Sequence, residues 1–419
     1  MPFPFTLPTT SYISFTDYFA SHTHPSLPLA ATQARGVLRD VFKQHKRLSP
    51  SSQTSNLSTV LSALNDYLPY LFALDAGLSG HAIAGEEIDI ILQKELEVEW
   101  RPTLSASIPG REVPRVKLRS LESEIFFTVT TLGYTYSLLA RAQLLTLYNA
   151  TTPSPEQRTA AIASAMKYYL DAQSAHAYLV NRAGQWTTPP PTPDISQNVQ
   201  SGLASLALAE ATLITVTKDD PYPAAVTQDR NRNDKDWMFK SPEMPKVRAH
   251  LFARLCLAAA EHASKAKAML GRARGVDGEV VEYVESLRRT ARGKACRFFA
   301  VDAEATGKTG EGIAWLRGAK REMGILSDSN GKEEKLSGFK KLKKDFQEKR
   351  EDKRIEKAGE WGMDAGKFEE GRVVESLERK WVKMNDTVCT YKTSLPLRLP
   401  SPDVPRDSTV LLYISNLTS

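Results

Sequence analysis

Cysteine is scarce in this chain of 419 residues. The sequence contains three cysteines, Cys256, Cys296 and Cys389, which is an odd number, and long stretches separate them. That spacing argues against a disulfide framework and against a CxxC metal site. We therefore expect a protein of a reducing, cytoplasmic compartment.

Long apolar runs are absent too. No stretch approaches the ~20 consecutive apolar residues that a membrane-spanning helix needs. The first residues, MPFPFTLPTTSYISFTDYF, lack a basic start followed by an apolar core, so we expect no secretory signal. With 41% hydrophobic and 25% charged residues, the composition is that of a soluble globular protein.

Patterns of metal-binding and catalytic residues are missing as well. The seven histidines form no HExxH motif and no pair with a nearby cysteine, which is evidence against a zinc site. The segment ATGKTGEG, which contains Lys308, resembles a phosphate-binding loop. Such a loop needs a glycine where Asp302 stands, and a strand where the preceding residues read as a helix. We predict instead a corner between two helices, with Gly307 ending the first.

These absences predict a protein that is not an enzyme and that holds neither a cofactor nor a metal. A phosphate-dependent enzyme using Lys308 stays the alternative from a different class of function. Tight nucleotide binding that depends on Lys308 would favour that alternative.

The net charge is +6, and much of the basic excess lies in residues 332–357. This segment holds eleven Lys or Arg and seven Asp or Glu, a net charge of +4. One interpretation is a solvated helix face laced with ion pairs. The other is a surface for anionic membrane or an acidic partner, with cations at Lys340, Lys341, Lys343 and Lys344. No known nucleic-acid reader motif accompanies the charge, so we expect no nucleic-acid partner.

Apolar residues recur every three or four positions along most of the chain, which predicts long amphipathic helices. Short breakers such as SPSS and TTPPPTPD separate these helices. A cap near Ser55 or Asn56 starts the second helix, which Pro69 should kink or restart. The predicted helices cover residues 29–48, 55–71, 121–148, 155–182, 195–218, 245–272, 279–305 and 311–326. No fixed-period repeat is present, so we predict an array that is solenoid-like rather than a numbered repeat.

One region departs from this helical pattern. In ELEVEWRP, Leu96, Val98 and Trp100 alternate with charged residues, which is typical of a half-buried strand. Val116 and Leu118 alternate with basic residues in the same way. The two segments predict a single small β-hairpin near residues 95–119, just before the helix that begins at residue 121.

Five segments carry a resemblance to a known family. ELEVEWRP leading into LESEIFFTVTTLGYTYSLLARA, together with EGIAWLRGAK (311–320) and KWVKMNDTV (380–388), resembles the Bro-one domain family, whose members include ALIX. The start MPFPFTLPTTSYISFTDYF and the segment LNDYLPYLFALDAGLSG are similar, more narrowly, to the fungal pH-response regulators of that family. The resemblance covers residues 1–388. We therefore divide the chain into a Bro-one-like domain, 1–388, and a Pro-containing tail, 389–419.

The tail departs from the family. Relatives usually continue into a longer Pro-rich segment, and Cys389 stands where many of them carry a tyrosine. We expect the tail to be disordered and assign it no function.

The resemblance implies an all-α fold: an elongated, banana-shaped, TPR-like helical solenoid with one small β-hairpin. It also implies a partner. Bro-one domains bind the C-terminal amphipathic helix of the ESCRT-III core subunit in a hydrophobic groove, with apolar anchors at helical spacing.

By position, the groove falls on residues 206–226 and on Leu213, Ile214 and Val216. Thr212, Thr215 and Ala225 are smaller or more polar than their counterparts in the family, which allows a weaker or shifted groove. Ordinary core packing between solenoid helices is the alternative interpretation of the three apolar residues.

The implied function is a non-catalytic scaffold of fungal alkaline-pH signalling. Such a scaffold works with other signalling proteins of its pathway, recruited from the cytoplasm to the plasma-membrane cortex or to endosomes. It supports the proteolytic activation of the transcription factor PacC by another protein. An ALIX-like endosomal scaffold that sorts cargo is the alternative within the family.

Overall fold

The computed structural model describes the chain over the ranges 2–83, 85–106, 112–149, 154–184, 190–229, 246–325 and 361–388. Within these ranges the protein is an elongated array of packed α-helices with two small sheets near its N-terminus. The helices are α1 (Leu27–Arg47), α2 (Pro50–Ser79), α3 (Leu121–Asn149), α4 (Pro155–Ala183), α5 (Gln197–Asp219), α6 (Tyr222–Asp229), α7 (Lys246–Arg272), α8 (Gly278–Ala305), α9 (Thr309–Glu322) and α10 (Lys367–Val388).

Six long helices, α1, α3, α4, α5, α7 and α8, begin and end close to their predicted bounds, whereas the long helix α10 was not among the predicted helices. α3 and α4 show this best, because their predicted ranges were 121–148 and 155–182. At the start of α4, the Ser154 side chain accepts a hydrogen bond from the backbone N–H of Gln157, and the Gln157 side chain accepts one from the Ser154 N–H. This reciprocal capping box, with Pro155 in the first turn, sets the boundary that the sequence predicts.

The predicted start of α2 was wrong. The helix begins at Pro50, capped by the Ser49 side chain, and runs without a restart through Pro69 to Ser79. Its first turn, PSSQTS, contains no large apolar residue, so the apolar period becomes visible only one turn later. Pro69 is exposed, where the carbonyl that it leaves without a helical partner can meet water.

The helix α6 was not predicted. The sequence places a break at DDPYP and a loop from residue 228, whereas α6 covers Tyr222–Asp229. Pro221 directly precedes it and Pro223 lies in its first turn, where prolines are tolerated. The prolines of DDPYP, which the sequence analysis interprets as helix breakers, therefore mark the start of a new short helix.

The predicted hairpin is present and has a third strand. Strand β4 (Val98–Arg101) pairs antiparallel with β5 (Val116–Leu118), with Val98 opposite Leu118. The N-terminal strand β1 (Thr9–Thr10) adds to the other edge of β4, with Thr10 opposite Trp100. A second sheet joins β2 (Phe19–Ala20) and β3 (Ile91–Leu92). The expectation of one isolated hairpin is corrected accordingly.

A buried ion network fastens this sheet to three helices, and we call it the N-terminal network. Arg35 of α1 donates from Nε to Glu124 Oε1 of α3 over 2.7 Å. Tyr67 of α2 donates to the same oxygen over 3.0 Å, and Trp100 of β4 donates from Nε1 to Glu124 Oε2 over 2.6 Å. Arg35 also donates to the carbonyl of Ser11, which follows β1, over 2.7 Å. Burial opposes the charge of Arg35, yet Glu124 holds the pKa of Arg35 above its ordinary value.

Consecutive long helices pack on one another from α3 to α9, as a solenoid requires. One main hydrophobic core runs from the N-terminal strands to α8. A second core joins α8, α9 and α10, and a third joins α3, α4 and α5 with Trp361. The helix α5 contributes to the main core and to the third core, so it lies at the centre of the region in which the family resemblance places the groove.

Candidate partner-binding surface

The helix α5 carries the three apolar residues to which the resemblance assigns a partner. Leu213 and Val216 are 2% and 0% exposed and lie in the main core. Ile214 is 3% exposed and lies in the third core. Residues three apart share a face and Ile214 points elsewhere, as the helical spacing predicts. All three side chains pack against the protein's own helices. Their role in docking stays a prediction, and a substitution there tests core packing as well.

The helix α5 is apolar enough to pass for a membrane-spanning segment. A window of Gln197–Asp219 has a mean hydropathy of 1.4, but 78% of that window is buried inside the protein. Neighbouring helices cover α5 on most sides, and a helix that is apolar nearly all round is typical of a buried position. We therefore interpret α5 as the core helix of the solenoid.

One stripe of α5 reaches solvent, and we call it the α5 stripe: Ser201, Ala204, Ser205 and Leu208. These residues are partly exposed, and their spacing of three and four places them on one side of the helix. The flanking helices are α4 and α7. Because its side chains are small apart from Leu208, the α5 stripe lets another helix approach closely between two neighbours.

Contacts on both sides of the α5 stripe fix the distance to its neighbours. A Cβ atom on Gly202 would lie 2.8 Å from Cγ of Leu270, so α7 packs directly on the backbone of α5. Toward α4, Gln197 donates from Nε2 to the carbonyl of Val180 over 3.2 Å. These contacts hold α5 between α4 and α7.

The threonines that depart from the family pattern satisfy their hydroxyls within α5. Thr212 donates to the carbonyl of Leu208 over 2.7 Å, and Thr215 donates to that of Ala211 over 3.0 Å. A hydroxyl bonded to the preceding turn leaves the methyl group to pack outward. Thr212 and Thr215 are 2% and 3% exposed, so both departures lie in the protein interior rather than on the α5 stripe.

A buried network of four charges holds the C-terminal end of α5, and we call it the C-terminal network. Arg297 of α8 donates from Nη2 to Asp220 Oδ2 and from Nε to Glu370 Oε1 of α10, each over 2.5 Å. Lys294 Nζ lies 3.0 Å from Glu370 Oε2. Burial would raise the pKa of Asp220, but the charges of Arg297 and Lys294 hold it below its ordinary value. The network fixes the corner between α5 and α6 against α8 and α10.

A second carboxylate of α5 has neutral donors. Glu210 accepts a hydrogen bond of 2.5 Å from the Tyr283 hydroxyl, and Tyr169 and the backbone N–H of Phe3 also donate to it. Burial raises the pKa of Glu210 to about 7. Phe3 lies 5.3 Å from Tyr283 between ring centroids, and Phe5 stacks on Tyr134 at 4.6 Å. The N-terminal residues are thereby held against α3, α5 and α8.

A buried histidine fixes α4 against α3 and α5. His176 is 2% exposed and its Nδ1 lies 2.8 Å from Gln200 Oε1. The Gln200 amide then donates to Thr130 Oγ1 over 2.9 Å and to the carbonyl of Asp194 over 2.7 Å. Burial lowers the pKa of His176 to about 4, so the ring is neutral at physiological pH. Its role is to satisfy hydrogen bonds in a core.

Among the described residues, neither Lys308 nor the cysteines Cys256 and Cys296 show signs of chemical activation. Lys308 has a side chain 68% exposed and pairs with Glu311 at 3.8 Å. It follows the helix α8, and Gly307 adopts a φ of 77°, so the predicted helix corner is confirmed. Burial raises the pKa of both Cys256 and Cys296 to about 12, which makes them poor nucleophiles. Among the described residues, no group of three or more His, Cys, Asp or Glu is placed to hold a metal ion.

Two predictions fall outside the described residues. The cations Lys340, Lys341, Lys343 and Lys344 belong to the segment between residues 325 and 361, and the tail 389–419 follows the last described residue. Both assignments stay predictions.

The sequence analysis did not identify Glu210 and Arg297, two of the charged residues that stabilise this region. Glu210 stands alone in the apolar run LALAEATLITV, and Arg297 stands alone in ACRFFAV. A single charge inside an apolar run is costly to bury unless it has a partner. That isolation is a signal by which both residues can be found, although their partners are distant in sequence.

Comparisons with known proteins agree with this architecture. A family model described as BRO1-like domain matches residues 45–357, which is more than half of the chain. The pH-response regulator protein palC of Emericella nidulans is 48% identical over an alignment of 425 residues, covering 93% of this chain and 84% of the relative.

Two solved structures share the fold. An ALIX BRO1 CHMP4C complex matches with a TM-score of 0.53 and 15% identity, covering 94% of this chain and 90% of that chain. ALIX in complex with the SIVmac239 PYKEVTEDL late domain matches with a TM-score of 0.57 and 15% identity, covering 96% of this chain and 47% of that chain. At this identity the likeness concerns the fold.

Proposed function

Because the chain belongs to the BRO1-like domain family, we propose that it is a non-catalytic scaffold of fungal alkaline-pH signalling. The observation that carries this proposal is its 48% identity to palC, a pH-response regulator, over 93% of the chain. In this proposal the scaffold supports proteolytic activation of PacC, and another protein of the pathway supplies the protease. The working unit is the domain 1–388, and the tail 389–419 is separate from it.

The proposed partner is the C-terminal amphipathic helix of the ESCRT-III core subunit. Support comes from the solved ALIX BRO1 domain, which shares this fold and whose structure contains CHMP4C. Further support comes from the α5 stripe, whose small side chains lie between α4 and α7. In this proposal Leu208 is the apolar contact at the centre of the surface, and buried Leu213, Ile214 and Val216 hold the helix beneath it.

A pull-down of the ESCRT-III core subunit with the purified full chain tests this assignment. Leu208→Asp places a charge where an apolar anchor docks, and desolvating it without a partner weakens binding below detection. The matched control is Leu29→Asp, a change at a residue that is 51% exposed on α1. Leu213→Asp is expected to lower the melting temperature as well. Equal capture by the Leu208 variant and the wild type would remove the α5 stripe from the proposal.

The cargo-sorting alternative is separated by growth rather than by binding. A deletion strain that fails at alkaline pH and processes no PacC supports the signalling function. A strain with normal alkaline growth and general missorting of endosomal cargo would favour the ALIX-like alternative.

We also propose that the chain is recruited peripherally to anionic membrane at the cortex or endosomes. Lys340, Lys341, Lys343 and Lys344 each contribute about 1 kcal/mol near such a surface. Reversing the four charges is expected to release the protein from anionic liposomes at low salt without lowering its melting temperature. Unchanged liposome binding would leave the segment as a solvated face.

A further inference from the structure

The strand β3 has a partner along one of its two edges. It pairs antiparallel with β2, with Leu92 opposite Phe19, and among the described residues no other strand joins this second sheet. Next to this pair, Gln93 donates from its backbone N–H to the carbonyl of Tyr18 over 2.7 Å. Backbone groups in an antiparallel ladder alternate in direction from one residue to the next, so the N–H and C=O of Leu92 point to the free edge.

The two residues of β3 carry large apolar side chains that reach solvent. Ile91 is 46% exposed and Leu92 is 52% exposed. Because successive side chains of a strand point to opposite faces of the sheet, one apolar side chain lies on each face beside the free edge. Natural proteins often protect an exposed edge strand with lysine or proline. β3 contains neither, and the lysine nearest in sequence, Lys94, lies over the ring of Tyr18 at 4.5 Å from its centroid.

Contacts at both strands hold this ribbon of β2 and β3 in place. The Asp89 carboxylate accepts hydrogen bonds from the Ser21 hydroxyl over 2.9 Å and from the backbone N–H of Thr23 over 2.8 Å, just beyond β2. At the start of β3, Ile90 packs so closely on α2 that a Cβ atom on Gly77 would clash with it. An edge that is already ordered loses little conformational entropy when a peptide adds to it.

The residues that flank β3 along the chain are mainly acidic. Glu86 and Glu87 precede the strand, Glu95 follows it, and all three are exposed. His24 Nε2 lies 3.9 Å from Glu86 Oε2, and Arg119 Nη1 lies 3.8 Å from Glu95 Oε2, whereas Glu87 forms no ion pair with a described residue. Exposed pairs at such distances contribute little, so they compete weakly with a new partner. A strand with basic residues at both ends complements these charges.

We propose that the free edge of β3 binds an extended basic segment of another protein, which adds to this sheet as a third strand. The backbone of the partner pairs with the N–H and C=O of Leu92, which is the mode of peptide recognition by strand addition. Two adjacent β-branched residues of the partner pack beside Ile91 and Leu92, and its basic ends lie near Glu87 and Glu95. The surface contains no residue of α5, so the inference is independent of the proposed ESCRT-III partner.

A fluorescent peptide of the sequence Lys-Lys-Thr-Val-Ile-Thr-Lys-Lys tests the inference by anisotropy with the full chain. We expect saturable binding that weakens as salt is raised. Two matched peptides separate the contributions: one has Ser-Ser in place of Val-Ile, and the other has glutamate in place of every lysine. Each should bind at least about tenfold more weakly. Wild-type protein that does not bind the basic peptide, or that binds all three equally, would overturn the proposal.

Leu92→Pro separates strand addition from simple adhesion to apolar side chains. Proline removes the N–H that points to the free edge and leaves the bond from Gln93 to Tyr18 in place. We expect a variant that melts like the wild type and whose peptide binding falls below detection. Leu92→Thr keeps the N–H and should weaken binding about tenfold through the lost apolar contact. The matched control is Val37→Thr, at a residue 59% exposed on α1, which should bind as the wild type does.

Hydrogen exchange followed by mass spectrometry gives an answer that needs no substitution. Peptide binding should slow exchange in residues 88–95 and leave exchange in α1 unchanged. Binding without this protection would show that the peptide contacts side chains alone, and it would overturn strand addition. Normal binding by a folded Leu92→Pro variant would do the same.

A second copy of this chain is the other occupant that a free strand edge can take. Sedimentation velocity of the protein without peptide separates the two cases, and we expect a monomer. A wild-type dimer that Leu92→Pro converts to a monomer, together with no binding of the basic peptide, would replace the proposed partner with self-association.

Discussion

The N-terminal and C-terminal networks both bury charged side chains, but the groups that surround those charges differ. In the N-terminal network one cation meets one anion, and neutral donors from Tyr67 and Trp100 complete the shell of Glu124. In the C-terminal network Arg297 lies between Asp220 and Glu370, and Lys294 adds a second cation. Both networks are balanced in charge, but the C-terminal one depends on a single residue to separate two carboxylates.

The difference indicates how each end of the protein tolerates change. Removing one partner of a buried ion pair leaves an uncompensated charge, whereas neutral donors keep their hydrogen bonds with a polar replacement. Removal of one partner should therefore break only some of the contacts in the N-terminal network. The C-terminal network should fail as a unit and release α10 from α5 and α8.

The largest expected effect is at Arg297. Arg297→Met leaves Asp220 and Glu370 buried with Lys294 as the remaining cation, and should destabilise the protein by about 5 kcal/mol. Urea unfolding followed by circular dichroism measures the loss. The matched control is Arg289→Met on the same helix, where the arginine side chain is 47% exposed and the loss should be small. Similar losses in the two variants would refute the dependence on Arg297.

Glu124 should show the smaller loss of the N-terminal network. Glu124→Gln keeps an oxygen for Tyr67 or Trp100 but leaves Arg35 uncompensated, so we expect destabilisation of about 4 kcal/mol in the same unfolding measurement. Glu122→Gln, on the same helix, changes a carboxylate that is 26% exposed and should cost less. A Glu124 variant as stable as the wild type would mean that the neutral donors carry the network.

Glu210 and His176 sharpen the comparison because neither has a charged partner in its hydrogen bonds. The pKa of Glu210 is raised to about 7, so its contribution to stability is complete below pH 4.5 and is lost as pH rises through 7. The pKa of His176 is lowered to about 4, so its contribution is complete above pH 6.5 and is lost as pH falls through 4. The two trends oppose each other between pH 4.5 and 6.5.

Variants separate the two trends. Glu210→Gln should leave a stability that rises by about 3 kcal/mol from pH 4.5 to 6.5, because the effect of His176 is no longer offset. His176→Asn should show the reverse trend over the same interval. Unfolding free energies measured across this range check both, and pH profiles parallel to that of the wild type would contradict the assignment.

The smallest effect is expected on the surface of the hairpin. Lys117 is 65% exposed and pairs with Glu97 at 2.9 Å. Solvent screens such a pair, so Lys117→Gln should leave the melting temperature unchanged within error. A clear fall in melting temperature would show that an exposed ion pair also contributes to stability, so that burial does not set the two networks apart.

The sequence predicts well what local periodicity determines. The bounds of α3 and α4 follow from apolar spacing and from the cap at Ser154, which act within a few residues. Strand β1 could not be predicted in the same way, because two threonines carry no period. Its register comes from Trp100, some ninety residues away in the chain.

The candidate site shows the same limit. The periodicity of α5 separates Leu213 from Ile214, but the helix is apolar on most sides, so the pattern does not tell which side reaches solvent. The side of α5 that reaches solvent is the α5 stripe of small and polar residues. Burial by α3, α4 and α7 decides this, and those contacts are not visible in the sequence of α5 alone.

The antiparallel pairing of β1 with β4 also affects the order of folding. Neighbouring helices such as α3 and α4 join through contacts that are local along the chain and form early. The pairing of β1 with β4 and of Arg35 with Glu124 joins residues that are about ninety positions apart in the chain. Contacts between residues so far apart in sequence form slowly. During synthesis the N-terminal strand must therefore wait until Glu124 has left the ribosome, with Phe3, Phe5 and Leu7 still unburied. For that interval the nascent chain presents an apolar segment that a chaperone can bind.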